Sequence, residues 1–561
     1  MSKRQALKRS DGLIEIRFDF DRDTLGLVKA IPGRRFHNDG PPPRSKYWTC
    51  PASPFALTRL KEAGFYLDPA LLAKPVLVEP DLSGLKRELF PFQRAGVTFI
   101  EARDGKLVLG DEMGLGKTIQ ALAWLHLHPE KRPVVVVCPA HLKLNWVKEI
   151  RATLPGRQRV QVLSGTNPRP LSNADIVIIN YDILPNEYER YVDSAGKKRM
   201  REIPRTGWVD FVIDCKPKVL IFDEAHYIKT SSTQRSKAVR KLAKRIPCRL
   251  ALTGTPIINR PIEGFSILQV VDASIFPNFW DYAHRYCGAQ HNGFGWDFSG
   301  TSNQNELHQQ LQTVMLRRKK QDVLPELPDK LYSYVHMELT NADLYSAAEA
   351  DFLQFLRKTK GVASAEKAKR AEYLVKVEAL KQLAVSGKLK DAIAWIWDVV
   401  ENGGGNGSGK LVVFAVHKAT INALMAEFGD IAVKVDGSVP AEKRQAAVRA
   451  FQEDERIRLF IGNIQAAGTG LTLTAASSVA FVELPWTPGE LAQAEDRCHR
   501  IGQKDTVNVY YLLTTGTIEE RIAELLDAKR KDLSAILDGE EVEETKLLSE
   551  LIRTYENVGE A

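Results

Sequence analysis

Apolar and polar residues alternate at Ile14, Ile16, Phe18 and Phe20 against Glu15, Arg17, Asp19 and Asp21, the period-two pattern of a half-buried strand. Leu25, Val28 and Ile31 then recur at helical spacing, and the strand-then-helix order repeats at 47–49 and 55–65. Residues 1–75 are therefore expected to form a small α+β module ending in the proline-bearing stretch 69–80. From Leu85 to Pro325, short apolar runs at 106–109, 134–138, 176–179 and 219–222 alternate with helical stretches, which predicts parallel βαβ units. A second such series runs through 411–416, 431–435, 458–461, 479–483 and 507–512. Between the two series, residues 340–400 are rich in Ala, Leu, Lys and Glu without breakers, and predict a helical connector. The expected units are 1–75, 85–325, a connector over 326–400, a second lobe over 401–538 and a tail over 539–561. Ile518, Ile522, Leu525, Leu526, Leu533 and Ile536 form a helical stripe expected to pack back on the second lobe.

The run 403–409 is glycine-rich but precedes its strand and opens no helix, so it reads as a loop. Residues 190–207 form a basic, polar insertion to which the sequence assigns no function. In the N-terminal module, Arg34, Arg35, Arg44 and Lys46 cluster near Phe36, Tyr47 and Trp48, either a solvated face or a nucleic-acid contact.

Composition narrows the class. The 561 residues are 44% hydrophobic and 26% charged, ordinary globular values, and the net charge of +8 permits a polyanionic partner. No apolar run approaches the roughly 18 residues of a membrane helix. The six cysteines show no CxxC pair, and a basic start runs into Asp11 without an apolar leader core. A reducing interior is expected, in the cytoplasm with the nucleoid or in the nucleus, and secretion is not.

The chemistry concentrates at two places in the first lobe. After the strand ending at Leu109, Gly110-Asp111-Glu112-Met113-Gly114-Leu115-Gly116-Lys117-Thr118 leads into a helix, the context of a phosphate-binding loop. Gly114 and Gly116 permit close backbone approach, Lys117 supplies a cation, and Thr118 supplies a hydroxyl for Mg²⁺. Asp111 stands where the common pattern has glycine. The strand 220–222 runs into Asp223-Glu224-Ala225-His226, with Asp223 placed to hold Mg²⁺ and Glu224 to deprotonate an attacking water. His226 receives no chemical role. In the second lobe, Arg497 and Arg500 lie three apart, which predicts one face of a helix and a source of positive charge for a transferring phosphoryl group.

Together these stretches resemble the Swi/Snf-type DNA-dependent ATPases of helicase superfamily 2. The resemblance rests on Asp111–Thr118, Val137–Ile150, Asp223–His226, the segment 252–256, Leu316–Val323, the segment 468–471, Gln493–Gln503 and Gly516–Ile522, in that order. It implies two RecA-like parallel-sheet lobes with helical insertions, preceded by the small α+β module. It further implies ATP and Mg²⁺ as cofactors, Gln93 reading the adenine, Arg497 and Arg500 completing the site, and DNA grips near Lys143, Tyr181, Thr253 and Thr469. Phe481–Gly489 and the N-terminal module, through Ile31–Phe36 and Trp48, resemble the HepA-related annealing-helicase branch, which implies a translocase that remodels or reanneals branched DNA; a monomer is expected. A strand-separating helicase or RNA-dependent ATPase is the nearest alternative, and a scaffold that has lost catalysis is the other. Lys117, Glu224 and Arg500 are all present, against the latter.

Overall fold

A computed structural model describes residues 4–31, 33–39, 46–72, 78–171, 173–192, 197–254, 261–291, 295–298, 300–359, 366–402, 409–467 and 471–538. They divide into two compact units, the first running through Glu112 and from Gly116 to Lys319, the second from Lys320 to Leu533. Among the described residues no helix is long and apolar enough to cross a membrane, and all six cysteines are free.

The first unit opens with a five-stranded sheet of β1 (Arg4–Lys8), β2 (Leu13–Phe18), β3 (Arg35–His37), β4 (Tyr47–Pro51) and β5 (Tyr66–Leu67), in the order β3-β4-β2-β1-β5. The alternation in β2 buries Ile14 and Ile16 completely, but the strand stops at Phe18 and leaves Phe20 80% exposed, contrary to its pattern. Two helices pack on the sheet, each started by a side-chain cap: Asp21 accepts from Thr24 N (3.1 Å), and Ser53 accepts from Ala56 N (3.1 Å). The first strand, in the basic start of the chain, carried no sequence signal. This module packs on the body of the unit, where Gln310 Nε2 donates to Ser53 Oγ at 2.9 Å in a buried setting. Gly33, at φ +73°, lies so close to the carbonyls of Ser274 and Ile275 that a Cβ would meet them at 2.8 and 2.9 Å.

The body of the unit is a seven-stranded sheet of β6 (Lys106–Leu109), β7 (Val134–Cys138), β8 (Val160–Val162), β9 (Ile176–Asn180), β12 (Val219–Asp223), β13 (Cys248–Leu252) and β16 (Met315–Leu316), all pairs parallel, in the order β16-β6-β13-β12-β7-β9-β8. The central strands are unbroken apolar runs because helices cover both faces, and β7 and β9 are buried throughout. Two excursions leave the sheet: a ribbon of β10 (Tyr188–Val192) and β11 (Lys198–Glu202), within the basic insertion, and a short hairpin of β14 (Gln290–His291) and β15 (Trp296–Asp297).

The second unit has a six-stranded parallel sheet of β17 (Lys330–Met337), β18 (Leu411–Ala415), β19 (Ala432–Val435), β20 (Leu459–Asn463), β21 (Ser478–Phe481) and β22 (Val507–Thr514), in the order β17-β22-β21-β18-β20-β19. The helical connector expected over 326–400 is corrected here. Lys330–Met337 is an edge strand paired along its length with β22, and helices Ala342–Thr359 and Glu366–Glu401 belong to the unit's own core through Phe352, Leu380, Ile396 and Val400. The long helix is fastened by Lys388, fully buried and 2.7 Å from the Glu519 carboxylate. The helix Ile518–Asp538 does pack back on the unit, burying Ile518, Ile522 and Leu526. The glycine-rich run 403–408 and the tail 539–561 lie outside the described residues.

Candidate active site

The phosphate loop follows β6 and closes on helix Lys117–Leu127, as the strand–loop–helix pattern requires. Gly114 and Gly116 adopt φ of +87° and +76°, a left-handed geometry costly for any residue with a side chain, so both glycines are required by the backbone. The amide of Gln93 lies at the same turn: a Cβ on Gly116 would sit 2.5 Å from its Nε2. Gln93 is itself buried, and its Oε1 accepts from Phe90 N at 3.1 Å, which fixes the start of helix Pro91–Ala102. Lys117 Nζ donates to the carbonyls of Asp111 (2.8 Å) and Glu112 (3.3 Å), so the ammonium is folded into the curl of the loop where phosphate oxygens are expected.

Asp111, the departure from the glycine pattern, has a structural reason. Fully buried, its carboxylate accepts from Arg318 Nε at 3.0 Å and from Gln120 Nε2 at 3.1 Å, while Arg318 also donates to Gln120 Oε1 (2.9 Å) and the Phe92 carbonyl. The next arginine, Arg317, donates to the carbonyls of Gly110 (3.2 Å) and Gly254 (3.3 Å). A glycine in place of Asp111 would leave a part-buried guanidinium without its counter-charge. These positioning roles of Asp111, Gln120, Arg317 and Arg318 were invisible in the sequence, since the two arginines stand some two hundred residues beyond Gly110, Asp111 and Gln120.

The second half of the site ends β12, separated from β6 by β13 alone. Burial of the carboxyl, with the Glu224 charge beside it, lifts Asp223 to about 7; the hydrogen bond from Trp146 and the charge of Lys117 act the other way. Trp146 Nε1 donates to Asp223 Oδ2 at 2.8 Å, and Glu224 N donates to Oδ1 at 2.9 Å. Glu224 takes a left-handed backbone (φ 50°, ψ 55°), an unusual conformation for glutamate that turns the chain sharply after the strand. His226, given no role by the sequence, places Nδ1 3.3 Å from Glu224 Oε2; burial and the nearby Lys229 lower its pKa to about 4, so it is neutral at pH 7. A neutral imidazole there adds no charge beside the Glu224 carboxylate. For Mg²⁺, Thr118 and Asp223 offer a hydroxyl and a carboxylate, two hard oxygen donors of the kind this ion takes alongside phosphate and water.

Arg497 and Arg500 are not on a helix. The helix Pro488–Glu495 stops before them, because buried Asp496 is tied to Lys320 (2.8 Å) and Lys330 (2.7 Å), distant residues the local pattern does not reveal. Against burial, these two ammoniums hold the Asp496 carboxyl well below its usual range. Both arginines still converge, donating to the Leu471 carbonyl at 3.3 and 2.9 Å, and Arg500 also reaches Thr472 Oγ1 at 3.0 Å.

The expected DNA grips fare differently. Tyr181 is fully buried and its hydroxyl donates to the Asp223 carbonyl at 2.8 Å, so it supports the acid strand and is no surface contact. Thr253 is likewise fully buried. Lys143 is half-buried, with Nζ donating to the Leu163 carbonyl (2.9 Å) and Asn180 Oδ1 (3.1 Å). Thr469 lies outside the described residues, as do residues 255 and 256 of the quoted segment 252–256.

Family models match this architecture in order: the SNF2-related domain over residues 92–386 and the helicase conserved C-terminal domain over 392–502. The chain is 33% identical over 465 residues to the DNA annealing helicase and endonuclease ZRANB3 of Bos taurus, a match covering 81% of this chain and 41% of that protein. It is 31% identical over 538 residues to the SWI/SNF-related matrix-associated actin-dependent regulator of chromatin subfamily A-like protein 1 homolog of Caenorhabditis elegans, covering 91% of this chain and 73% of that one. The chain thus spans about two-fifths of the length of the first of these relatives. Among solved structures, the Sulfolobus solfataricus SWI2/SNF2 ATPase core in complex with dsDNA aligns at 24% identity and a TM-score of 0.37, over 85% of this chain and 97% of that one. With the first family model alone spanning more than half of the residues, the chain belongs to the SNF2-related family of Swi/Snf-type proteins.

Proposed function

We propose that this protein hydrolyses ATP to drive movement along DNA, and that it uses that movement to remodel or reanneal branched DNA. The observation that carries the reading is the pairing within one sheet of the phosphate loop and the Asp223–Glu224 strand end, close enough for the Lys117 charge to act on Asp223. In this reading the loop amides and Lys117 bind the β- and γ-phosphates, Gln93 contacts the adenine, and Thr118 and Asp223 hold Mg²⁺. Bound there, Mg²⁺ would neutralise charge developing on the phosphate oxygens. Glu224 accepts the proton of the attacking water, and Arg497 and Arg500 supply guanidinium charge to the γ-phosphate in the transition state. Alternate gripping by two lobes would convert each turnover into a step.

The reannealing part of the proposal draws on the likeness to a DNA annealing helicase, and the branched-DNA part on the N-terminal module, which we assign to DNA recognition. The protein would work as a monomer wherever DNA is held, in a nucleoid or a nucleus. Contacts to the phosphate backbone carry no sequence information, so binding should be sequence-tolerant and steeply salt-dependent. Hydrolysis by Lys117→Ala measured with and without duplex DNA tests the motor: loss of turnover with retained DNA binding is expected, and wild-type turnover overturns it. Deleting residues 1–75 should leave duplex-stimulated hydrolysis and weaken reannealing of forked DNA. Efficient unwinding of a simple partial duplex, with little action on forks, would favour a strand-separating helicase instead.

A further inference from the structure

The insertion without an assigned function builds a charged feature of its own. Its ribbon, β10 and β11, pairs Arg190 with Met200 and Val192 with Lys198, so these four share one face with the paired Tyr188 and Glu202. That face is turned toward helix Gln234–Ala243: Lys237 Nζ stands 5.2 Å from the centroid of the Tyr188 ring, and Lys241 Nζ bridges Glu202 and Asp210, each at 2.7 Å. Asn186, at the foot of the ribbon, donates to the Asp210 carboxylate at 2.7 Å and to Glu202 at 2.6 Å, which fixes the ribbon's root. Between ribbon and helix lies an open groove of about 490 Å³, lined among others by Tyr188, Lys237, Arg240 and Lys244.

The acids at the foot of this groove, Glu202 and Asp210, are already engaged by Lys241 and Asn186, and its outer walls are cationic. From Lys229 to Cys248 the chain holds seven Lys or Arg residues and no Asp or Glu. Lys237, Lys244 and Arg245 of that stretch are exposed, and so are Arg190 and Lys198 on the groove-facing side of the ribbon, whereas Arg235 and Arg201 are paired with Asp182 and Glu189. A strand of five residues spans about 17 Å, the axial length of about five base pairs. Two cationic walls of that length suit a polymer with regularly spaced charge better than a compact anion, and a two-stranded ribbon is of a size that lies along a duplex groove.

We propose that the ribbon and helix Gln234–Ala243 form a seat for the phosphate backbone of nucleic acid. This inference rests on the reading of the protein as a DNA-acting motor and deepens it by naming surface residues for an arm of the DNA, in place of the buried Tyr181 and Thr253. The seat does not take part in hydrolysis.

The test uses the full chain and labelled forked and linear DNA, with binding followed by fluorescence anisotropy without nucleotide over a range of salt. One variant combines Arg190→Glu and Lys198→Glu; the other combines Lys237→Glu and Lys244→Glu. All four side chains are exposed, and undiminished hydrolysis at saturating DNA reports that each variant is folded. Each variant should weaken binding to forked DNA at least tenfold and flatten the slope of log affinity against log salt by roughly 2, the expectation for two lost phosphate contacts. Unchanged affinity and slope on both DNAs overturns the proposal. If polyglutamate binding is lost while DNA binding is kept, the surface belongs to an acidic protein instead. Absence of any DNA stimulation in the wild-type hydrolysis assay would refute the motor reading separately, because the binding measurement uses no nucleotide.

Discussion

Asp223 and Glu483 both lie at the C-terminal ends of parallel strands, one in each unit, and the two carboxylates are treated in opposite ways. Glu483, just beyond β21, is 2% exposed and surrounded by donors: the amides of Val416 and His417, the His417 ring at 2.7 Å and the Thr420 hydroxyl at 2.9 Å. Against burial, the His417 ring and these amides hold its pKa below the usual value. Asp223 has the Trp146 indole and one amide for partners, and a second acid as its neighbour, and its pKa climbs to about 7. A carboxylate that is fully satisfied is part of the scaffold. One held short of donors next to a like charge would be relieved by a cation, and under our proposal Asp223 is such a carboxylate.

The sharpest way to break this comparison is to remove the acid assigned to chemistry. Glu224→Gln keeps the shape of the strand end and eliminates the base, so steady-state ATP hydrolysis should fall by about 10²–10⁴-fold. DNA affinity measured without turnover should hardly change. Wild-type turnover would show that Glu224 is not the base.

Next in size is a stability contrast. Glu483→Ala leaves His417, Thr420 and two amides facing a hole, and should cost the second unit about 3–5 kcal/mol in denaturant unfolding. Asp223→Asn should leave stability unchanged or slightly raised, since it removes a like-charge repulsion at a buried site. Equal losses from the two substitutions would erase the distinction between scaffold and site.

Titration sharpens the scaffold side. His417 sits between two carboxylates, with Nε2 2.7 Å from Glu378 Oε1 and Nδ1 2.7 Å from Glu483 Oε1, so both ring nitrogens donate and the imidazolium is favoured. The hydrogen bonds to Glu378 and then Glu483 raise its pKa to about 9. Because the folded value lies above the unfolded one, the stabilisation is complete below about pH 6.5 and is lost as pH rises through about 9. With solvent screening taken into account, the loss should be about 1–3 kcal/mol. Unfolding of the second unit followed by hydrogen exchange between pH 6 and 9.5 should show this decline, and His417→Gln should flatten it.

What the sequence made legible follows from the range of the interactions involved. The phosphate loop and the acid pair were readable because each is a local grammar: an apolar strand, then glycines and Lys117, or an apolar strand, then Asp223 and Glu224. Roles that depend on burial or on distant partners were not. Tyr181 and Thr253 are polar residues in motif positions, yet both lie beneath the surface. The helix expected to carry Arg497 and Arg500 ends early because Asp496 is claimed by Lys320 and Lys330, more than 160 positions away. Likewise β17 was absorbed into a connector, since its exposed Leu331, Tyr332 and Tyr334 give an edge strand no clear alternation.

The smallest expected effect concerns the two aromatic residues that position Asp223. Trp146 is buried in the first-unit core and donates its indole N–H to the carboxylate, while Tyr181 donates to the backbone carbonyl of the same residue. Trp146→Phe removes the first donor and keeps an aromatic ring, at a cost of about 1–2 kcal/mol for a hydrogen bond to a charged group. If Asp223 holds Mg²⁺, losing that donor loosens the carboxylate's orientation, and half-saturation by Mg²⁺ should rise about 5–20-fold with a smaller change in kcat at saturation. Tyr181→Phe leaves the carboxylate's own hydrogen bonds in place and should shift Mg²⁺ half-saturation less than Trp146→Phe. A larger shift from Tyr181→Phe would mean that the backbone turn into Glu224, and not the carboxylate orientation, is what the aromatic pair controls.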